Sequence, residues 1–336
     1  MNLLIIGGTQ FVGRHVMEAA LSRVERLTVF NRGVTASALP PGVEWIRGDR
    51  RADLSGLSTG RWDAVIDTCG YLPGEVARMA EALDARVGRY VFVSSVSAYA
   101  SSAAPNREDS PLGRIHDEDT EVVDGRSYGP LKAACERVLV ERFGRRALLV
   151  RPGLVVGPND PTQRFTWWPA RVARALLNGL PMLAPGEPER RLQFIDARDL
   201  AEFILHAIAT DCSGPVNAVA PAGFTTMGRL LQACGDAVGQ QPKLVWATAA
   251  QLQREGIAPW VPMPLWLPAE GEHAAFMEVD TALARQQGLR TRALHDTVSA
   301  TLAWWRSLPA DQQRFDKAGL TPEREAQVLA RLAADR

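Results

Sequence analysis

Short apolar runs alternate with helical patterns through the first half of the chain. The runs are rich in β-branched residues and are bounded by Gly, Asp or Pro, which is typical of buried strands. They comprise LLIIG, LTVFN, VEWIRG, AVIDTCG, YVFVSSVS and ALLVRPGLVVG. Between several of them, FVGRHVMEAALSR, EVARMAEALDAR and KAACERVLVERF have the apolar spacing of helices. Strands that alternate with helices predict a parallel sheet that is covered on both faces.

This alternation ends after Gly157. Segments such as GPNDPTQRFTWWP and APWVPMPLWLPAEGE are rich in Pro and Trp, with helical patterns between them. The sequence therefore predicts an α/β protein, with a Rossmann-type doubly wound parallel sheet and a smaller, irregular C-terminal substrate lobe. The predicted nucleotide-binding domain covers residues 1–157, with 190–215 returning to it. The predicted lobe covers 158–189 and 216–336.

Composition narrows the class of protein. The chain has 336 residues, 46% of them hydrophobic and 23% charged, which is typical of a globular protein with a large core. Its formal net charge is zero, which argues against a nucleic-acid partner. Four separated cysteines and the lack of a membrane-spanning apolar run favour a reduced, cytoplasmic protein without a membrane partner. The histidines show no ligand spacing, so no metal site is expected. Trp167 and Trp168 are expected to pack in the core, although they could also wall a substrate pocket.

The stretch GGTQFVG, residues 7–13, follows the first predicted strand and opens the first predicted helix. A turn between a strand and a helix can bind a phosphate group, because the unpaired N–H groups and the dipole at the helix N-terminus favour a pyrophosphate. Gly7 permits a tight turn, and Gly13 lets the helix approach the sheet. Gln10 stands where a third glycine is usual, so an ordinary strand-to-helix turn is the alternative interpretation.

The second predicted strand ends at Asn31-Arg32-Gly33, without the acidic residue that usually binds the ribose hydroxyls of NAD. Arg32 suits a 2′-phosphate instead. NADP (as NADPH) is therefore the predicted cofactor, with NAD as the alternative. Arg32 could also be an ordinary solvated turn residue in an arginine-rich chain.

Tyr128 and Lys132 lie four residues apart in YGPLK. Pro130 suits the first turn of a helix, and the spacing places Tyr128 and Lys132 on one face. Only three of the 38 basic residues are lysine, so a lysine at this position is informative. Because a nearby ammonium favours tyrosinate, we expect Lys132 to lower the pKa of Tyr128 toward the range of an acid–base catalyst.

In this order, the motifs resemble the extended short-chain dehydrogenase/reductase superfamily, in its NAD(P)-dependent epimerase/dehydratase-like family. The resemblance covers most of the chain, through GGTQFVG, GDRRADL, VIDTCG, SSVSAY, YGPLK, LLVRPGLVVGP and FIDARDLAEF. It implies a catalytic triad of Ser95, Tyr128 and Lys132, with Ser94 and Ser97 as competing serines. The implied cofactor site consists of Gly7, Thr9, Gln10, Phe11, Val12, Gly13, Asn31, Arg32, Asp49, Arg50, Thr68, Cys69, Gly70, Tyr128, Lys132, Pro152 and Gly153.

The family pattern also assigns places along the cofactor. Asp49 and Arg50 match the pair that borders adenine, and residues 68–70 match the turn beside the ribose. Pro152 and Gly153 match the segment against the nicotinamide.

The chain departs from sugar-nucleotide epimerases at two positions that bind phosphate in that family. Leu154 replaces an asparagine and Leu192 replaces an arginine, although Arg190 or Arg191 could compensate in a shifted register. Gln10 matches a reductase-like subgroup with GGTxFVG loops, and its side chain is expected to border the cofactor phosphates or the mouth of the active site. The pattern argues against a sugar nucleotide as substrate.

We predict an NADP-dependent oxidoreductase that reduces a carbonyl, or oxidises the alcohol, of a small organic substrate, with Tyr128 as general acid/base. The first alternative is an epimerase or dehydratase that uses the cofactor transiently. It needs a further acid or base, for which Glu108, Asp109 and His116 lie before YGPLK. The second alternative is a non-catalytic cofactor-binding or RNA-binding protein, since chloroplast stem-loop RNA-binding proteins share the GGTxFxG opening. The family resemblance also implies a homodimer.

Overall fold

The computed structural model describes residues 1–115 and 120–334. Its strands are β1 Asn2–Ile6, β2 Arg26–Asn31, β3 Val43–Arg47, β4 Trp62–Asp67, β5 Val87–Val93, β6 Ala147–Pro152, β7 Leu154–Val156, β8 Met182–Pro185, β9 Arg191–Leu192, β10 Phe194–Asp196, β11 Gly214–Ala218, β12 Thr225–Thr226, β13 Leu244–Ala247, β14 Pro259–Trp260 and β15 Met263–Pro264. Its α-helices are α1 Phe11–Ala20, α2 Pro73–Leu83, α3 Tyr128–Phe143, α4 Trp167–Asn178, α5 Ala197–Ala209, α6 Met227–Asp236, α7 Ala249–Arg254, α8 Ala282–Gln286, α9 Leu294–Ser307 and α10 Pro322–Ala334.

A seven-stranded sheet forms the centre of the nucleotide-binding body, in the order β11-β6-β5-β4-β1-β2-β3. Every neighbouring pair in it is parallel. The predicted Rossmann-type, doubly wound sheet is therefore confirmed. The strand order reverses between β1 and β4, and sheets of this kind bind ligands beyond the carboxyl ends of the strands at such a reversal.

Both faces of this sheet are buried, which explains why its strands are continuously apolar. Leu3 and Ile5 of β1 point to the face covered by α1 and α5. Leu4 and Ile6 point to the opposite face, which α2 and α3 cover. Helix pairs on both faces hold the strand ends, and hence the loops that follow them, in fixed positions.

The run ALLVRPGLVVG does not form one strand, because it divides at Gly153. A Cβ at this position would lie 2.7 Å from Cγ2 of Val219, so only glycine permits the close approach. β6 stays in the main sheet, whereas β7 pairs with β10. The break places Pro152 and Gly153 at the carboxyl end of β6.

Outside the main sheet there are four two-stranded pairings, β7 with β10, β9 with β12, β8 with β13 and β14 with β15. Trp167 and Trp168 lie in the core of the second lobe at 1% and 0% exposure. Pro322 opens α10, and this helix packs on the second lobe through Glu325. The buried Glu325 carboxylate pairs with Arg171 at 2.5 Å and accepts the Leu183 N–H at 2.8 Å.

The chain returns to the nucleotide-binding body between the two parts of the lobe. α5 packs against α1, and β11 adds to the edge of the main sheet beside β6. This return extends to Ala218, three residues beyond the 190–215 segment assigned to it from the sequence. The other predicted domain boundaries stay predictions. Within the described ranges, no helix is long and apolar enough to cross a membrane.

Candidate active site

A cleft of about 2060 Å³ opens at the carboxyl ends of the main-sheet strands. Small-molecule pockets usually measure roughly 300–1,000 Å³, so this cleft has room for a dinucleotide together with a substrate. The glycine-rich loop and residues 259–276 of the second lobe both contribute to its lining. The structure brings every predicted site residue to this lining except Gly70.

Three glycines shape the loop between β1 and α1. Gly7 and Gly8 have φ angles of 99° and 83°, which L side chains rarely adopt. A Cβ on Gly13 would lie 2.7 Å from the Gly8 nitrogen and 2.9 Å from Oγ1 of Thr68. The glycines therefore allow the first turn of α1 to approach the end of the strand, as expected for a dinucleotide loop.

Gln10 occupies the position before α1 and caps no helical N–H with its side chain. Its side chain is exposed and lines the cleft, where the sequence placed it. The next residue, Phe11, has a positive φ of 33°. The N-terminus of α1 thus faces the cleft without a side-chain cap, and its positive dipole end is open to an anion.

Asn31 and Arg32, at the end of β2, differ in whether the fold uses their side chains. The Asn31 amide donates to the Gly7 carbonyl at 2.7 Å, and its oxygen accepts from Gly33 and Trp45. Arg32 is exposed, lines the cleft and makes no hydrogen bond or ion pair with any residue that the structure describes. The Asn31 side chain is therefore used by the fold, whereas the Arg32 guanidinium is free for a ligand.

Arg50 lines the cleft, but its guanidinium is held by the fold. It donates to both oxygens of Asp67, at 3.0 and 2.9 Å, and Tyr90 donates to the same carboxylate at 2.8 Å. Burial opposes ionisation of Asp67, yet the charge and hydrogen bonds of Arg50 hold its pKa below the usual range. Arg50 can border adenine as part of the wall, but it has little freedom to grip a ligand.

The turn after β4, residues 68–70, lies between the glycine-rich loop and Lys132. Thr68 donates to the Ile6 carbonyl at 2.8 Å and lines the cleft with Cys69. Burial raises the pKa of the Cys69 thiol to about 11, so this thiol is neutral at physiological pH. Gly70 lies behind the lining, where its carbonyl accepts a hydrogen bond from Lys132.

Gly129 brings α3 against the serine-bearing segment after β5. A Cβ at this position would lie 2.0 Å from the carbonyl oxygen of Ser97, so no other residue permits this contact. Tyr128 and Lys132 occupy the first two turns of α3 and both line the cleft. The glycine of YGPLK thus positions the tyrosine beside the serines.

The structure distinguishes the three candidate serines. Ser94 donates to Glu136 at 2.5 Å, and the Glu136 carboxylate is also paired with Arg151 at 2.6 Å. These three side chains are buried and tie β5, α3 and β6 together. Ser95 accepts the Ser97 N–H at 3.0 Å, lines the cleft with Tyr128 and lowers the pKa of the Tyr128 hydroxyl. The Ser94 hydroxyl is therefore used by the fold, whereas the Ser95 side chain faces the cleft with Tyr128.

Lys132 is 3% exposed, and its ammonium points to two backbone carbonyls. It donates to Gly70 at 2.8 Å and to Val93 at 2.6 Å, and it lies 4.1 Å from the ring centre of Phe92. Burial lowers the pKa of Lys132 to about 8. Two of its three N–H groups are used by the protein, which leaves one for a ligand.

The expectation that Lys132 lowers the pKa of Tyr128 is wrong in this structure. Burial raises the pKa of Tyr128, and this rise is opposed by the Ser95 hydrogen bond and by the charge of Arg164. Lys132 makes no comparable contribution, because its ammonium is directed at backbone carbonyls.

Arg164 was not expected from the sequence. It lies in the irregular segment between β7 and α4 and lines the cleft beside Tyr128. One arginine among many, in a proline-rich segment without periodicity, offers no signal that separates it from a surface charge. The ring centre of Trp260 lies 4.7 Å from the guanidinium carbon of Arg164, and the sequence gives no signal for this residue either.

The substrate side of the cleft is apolar and aromatic. Leu154, Val155, Trp260, Leu267 and Phe276 contribute to its lining. The suggestion that the tryptophan pair at the start of α4 walls the pocket is wrong, because both rings are in the lobe core and neither reaches the cleft. The indole in this wall comes from β14 instead.

The positions that bind phosphate in sugar-nucleotide epimerases offer no cation here. Leu192 is 1% exposed and packs in the lobe core. Arg190 donates to the backbone carbonyls of three residues, Leu267, Pro268 and Ala274. Arg191 is paired with Glu278 at 3.6 Å. A shifted register therefore does not bring either arginine free into the cleft.

The three candidates for a further acid or base differ in their surroundings. The Glu108 carboxylate accepts the Asn217 N–H at 3.0 Å and does not line the cleft. Asp109 is exposed and also lies outside the lining. His116 lies outside the described residues. Glu272 and His273 line the cleft and were not singled out by the sequence.

Within the described parts of the chain, no group of three or more His, Cys, Asp or Glu residues could hold a metal ion. All four cysteines are free.

Part of the chain matches a known family, and most of it is similar to known proteins. Residues 72–220 match the model of the NAD dependent epimerase/dehydratase family, and this segment contains the serines, YGPLK and the turn after β6. The chloroplast stem-loop binding protein of 41 kDa b from Arabidopsis thaliana is 26% identical over 263 residues, which cover 73% of this chain and 65% of that protein. The match thus spans just under two thirds of that relative's length. The epimerase family protein SDR39U1 from Bos taurus is 26% identical over 265 residues, which cover 71% of this chain and 81% of that one.

Solved structures show the same fold. The UDP-glucuronic acid 4-epimerase of Bacillus cereus, solved in complex with NAD, superposes with a TM-score of 0.64. The superposition covers 90% of this chain and 98% of that chain at 15% sequence identity. At this identity the likeness concerns the fold alone, that is, a parallel sheet with a cleft at its carboxyl edge.

Proposed function

We propose that this chain is an NADP-dependent oxidoreductase of the extended short-chain dehydrogenase/reductase type, which reduces a carbonyl, or oxidises the alcohol, of a small organic substrate. The match of residues 72–220 to the NAD dependent epimerase/dehydratase family supports this proposal. One observation carries the proposal. Ser95, Tyr128 and the buried Lys132, one helical turn after Tyr128, line the same cleft as the glycine-rich loop, and Ser95 lowers the pKa of the Tyr128 hydroxyl. The resemblance also supports a homodimer that acts on a small-molecule substrate.

The residues present fit a dinucleotide. The glycine-rich turn is a cradle that a Cβ on Gly13 would fill, and the uncapped N-terminus of α1 would hold the pyrophosphate. Arg32 would pair with the 2′-phosphate, and Thr68 and Cys69 would border the adjoining ribose. The remaining N–H of Lys132 would donate to the nicotinamide ribose. When bound, the cofactor supplies or accepts a hydride at the nicotinamide C4.

Tyr128 and Ser95 act on the substrate oxygen. Tyr128 donates its proton to the carbonyl oxygen as the adjacent carbon gains a hydride, so that C=O becomes CH–OH. Ser95 donates a hydrogen bond to the same oxygen and stabilises the negative charge that develops there. In the oxidative direction, Tyr128 accepts the alcohol proton. Because burial raises the pKa of Tyr128, its hydroxyl is protonated at neutral pH and ready to donate.

Arg32→Ala is expected to weaken NADPH binding about 10- to 100-fold and NADH binding less than about twofold. The loss follows from removing a charge-assisted hydrogen bond to phosphate, which contributes roughly 1.5–3 kcal/mol, where 1.4 kcal/mol is tenfold in affinity. Calorimetric titration with both cofactors measures the two losses. Arg229→Ala, which removes an exposed arginine of the second lobe, is the control. Equal losses for NADPH and NADH would mean that Arg32 does not bind the 2′-phosphate.

An epimerase or dehydratase with transient cofactor use is the second candidate. The family of the matched segment favours it. The cleft supports it less well, because Leu154 and Leu192 replace the phosphate-binding residues of sugar-nucleotide epimerases. Such an enzyme would transform its substrate with tightly bound cofactor and no net consumption of NADPH.

Turnover of a panel of ketones, imines and nucleotide sugars tests the proposal. We expect stoichiometric oxidation of NADPH with at least one ketone. Conversion of a nucleotide sugar without change in NADPH would favour the second candidate. RNA binding at physiological salt, with no turnover of any compound, would favour the stem-loop-binding activity named for the Arabidopsis relative.

A further inference from the structure

We propose that the substrate is a carboxylate, and that Arg164 binds its carboxylate group beside the Tyr128 hydroxyl. This inference rests on the proposed hydride transfer and names the class of substrate for it. Arg164 would thus be a specificity-determining residue of the cleft.

The donors of Arg164 are mostly unused. Its side chain is half-buried, lines the cleft and donates through Nε to Oγ1 of Thr162 at 3.3 Å. A guanidinium has five N–H groups, and no other hydrogen bond joins this one to the described residues. Among those residues, no carboxylate lies within 4.0 Å of it. The two terminal nitrogens therefore offer a fork of donors to a ligand.

The loop that carries Arg164 is braced by the C-terminal segment. The Gln163 side chain accepts the N–H groups of Asp316 and Lys317, at 3.1 and 3.0 Å, and donates to the Arg314 carbonyl at 3.0 Å. Lys317 donates through Nζ to the Pro161 carbonyl at 3.1 Å. Because these contacts fix the loop before any ligand binds, little ordering of the backbone is needed on binding.

An aromatic wall orients the guanidinium. Arg164 lies over Trp260, whose ring meets Phe276 edge-on at 5.3 Å between ring centres. Trp260 has a φ of 74°, a strained conformation for an aromatic residue. Strained backbone of this kind persists where the surrounding structure imposes it, often at ligand sites. The indole face covers one side of the planar cation and leaves its edge for hydrogen bonding.

The charge of Arg164 is poorly compensated. Burial lowers the pKa of Arg164, although Asp160 and Tyr128 oppose this change. Two further arginines, Arg114 and Arg126, line the cleft and are exposed, whereas the acidic lining residues on this side are Asp124 and Glu272, both also exposed. Burying a cation without a hydrogen-bonded anion costs free energy, and an anionic ligand would supply the missing partner.

The geometry of the donors favours a carboxylate. A planar guanidinium matches the two oxygens of a carboxylate in a bidentate pair, which adds directional specificity to the charge. Arg164 and Tyr128 line the same cleft, so a group that Arg164 binds shares this cleft with the reacting carbonyl. The charge of Arg164 also lowers the pKa of the Tyr128 hydroxyl. 2-Oxo acids and their near homologues have this arrangement.

Matched pairs of a carboxylate and its amide test the inference. The pairs are pyruvate and pyruvamide, benzoylformate and benzoylformamide, and levulinate and levulinamide. Calorimetry with NADP⁺-loaded protein measures binding without turnover. We expect at least one carboxylate to bind about 30- to 100-fold more tightly than its amide, the factor expected for a charged bidentate contact. Acetylphosphonate, the tetrahedral analogue of pyruvate, is expected to bind more weakly than pyruvate.

Arg164→Gln is expected to abolish the preference for the carboxylate, and Arg164→Lys to retain part of it. Arg229→Gln changes the net charge equally and is expected to keep the full preference. NADP⁺ affinity and thermal unfolding of each variant verify that the nucleotide site is intact. No discrimination within any pair, or an unchanged preference in Arg164→Gln, would overturn the inference. Tighter binding of acetylphosphonate than of pyruvate would overturn it in favour of a phosphate group.

A separate measurement of NADPH oxidation with the same pairs distinguishes the two proposals. If binding prefers carboxylates in an Arg164-dependent way but no carbonyl is turned over, the carboxylate site is supported and the proposed hydride transfer is wrong. Turnover of the amides and carboxylates with equal kcat/KM, unaffected by Arg164→Gln, keeps hydride transfer and overturns the carboxylate site.

Discussion

Tyr128→Phe is expected to lower the rate of carbonyl reduction about 10²- to 10⁴-fold, the usual contribution of a positioned general acid. The variant lacks the only group that we assign to proton donation, while Ser95 and Lys132 remain. Phenylalanine preserves the ring that packs 6.4 Å from Tyr71, so the cleft should keep its shape. Single-turnover oxidation of bound NADPH measures the rate of the chemical step.

NADPH affinity is the control for this variant, and we expect it to change less than about twofold. Tyr128 lies at the start of α3, whereas the glycine-rich loop lies between β1 and α1. A rate within about threefold of the wild type would contradict the role of Tyr128. A large loss of NADPH affinity would instead show that Tyr128 contributes mainly to cofactor binding.

We compare the free energy of unfolding of the cofactor-free wild-type protein with that of Lys132→Met. The difference, wild type minus variant, is expected to rise by about 3 kcal/mol between pH 7 and pH 11. The folded protein releases the Lys132 proton at a pKa of about 8, whereas the unfolded chain holds it to the ordinary value of 10.5. Between these values the unfolded state binds more protons, so the free energy of unfolding increases with pH. The magnitude follows from 1.36 kcal/mol per pKa unit.

Urea unfolding of both proteins across this pH range measures the difference. Subtracting the variant removes the titration of groups that both proteins share. Lys243→Met removes an exposed ammonium, and we expect its difference from the wild type to stay flat. A flat or falling difference for Lys132→Met would mean that burial does not destabilise the charged lysine.

The nucleotide half of the site could be predicted because its chemistry lies in short contiguous motifs at strand ends. Apolar runs locate β1 and β2, and parallel strands bring their carboxyl ends to one edge. Gly13 and Gly129 stand where a Cβ would meet backbone at 2.7 and 2.0 Å, so their identity directly reflects the geometry. The four-residue spacing of Tyr128 and Lys132 places them on one helical face, and the family resemblance implies their catalytic role.

The direction of a side chain within the fold could not be predicted in the same way. Helical spacing places Lys132 on the face of Tyr128, but the carbonyls that attract its ammonium belong to other strand ends. Arg50 matched a motif for bordering adenine, yet Asp67 holds its guanidinium. Such partners are distant in sequence and meet only when the sheet forms.

The substrate half of the site could not be predicted from the sequence, for a related reason. Arg164 and Trp260 come from two irregular segments far apart in the chain, and tertiary packing alone brings them together. Neither segment has the periodicity from which burial can be inferred. The sequence shows that the second lobe is rich in Pro and Trp, but it does not show which of these residues line the pocket or that Arg164 joins them.

Transfer of deuterium from [4,4-²H₂]NADPH to the product of a reduced ketone tests the central claim most directly. Mass spectrometry of the product after a single turnover measures it. We predict one deuterium atom on the former carbonyl carbon with the wild-type protein, and a rate of its appearance at least about 100-fold lower with Tyr128→Phe. Product without deuterium, or no product from any ketone with NADPH bound in the cleft, would contradict hydride transfer at this site.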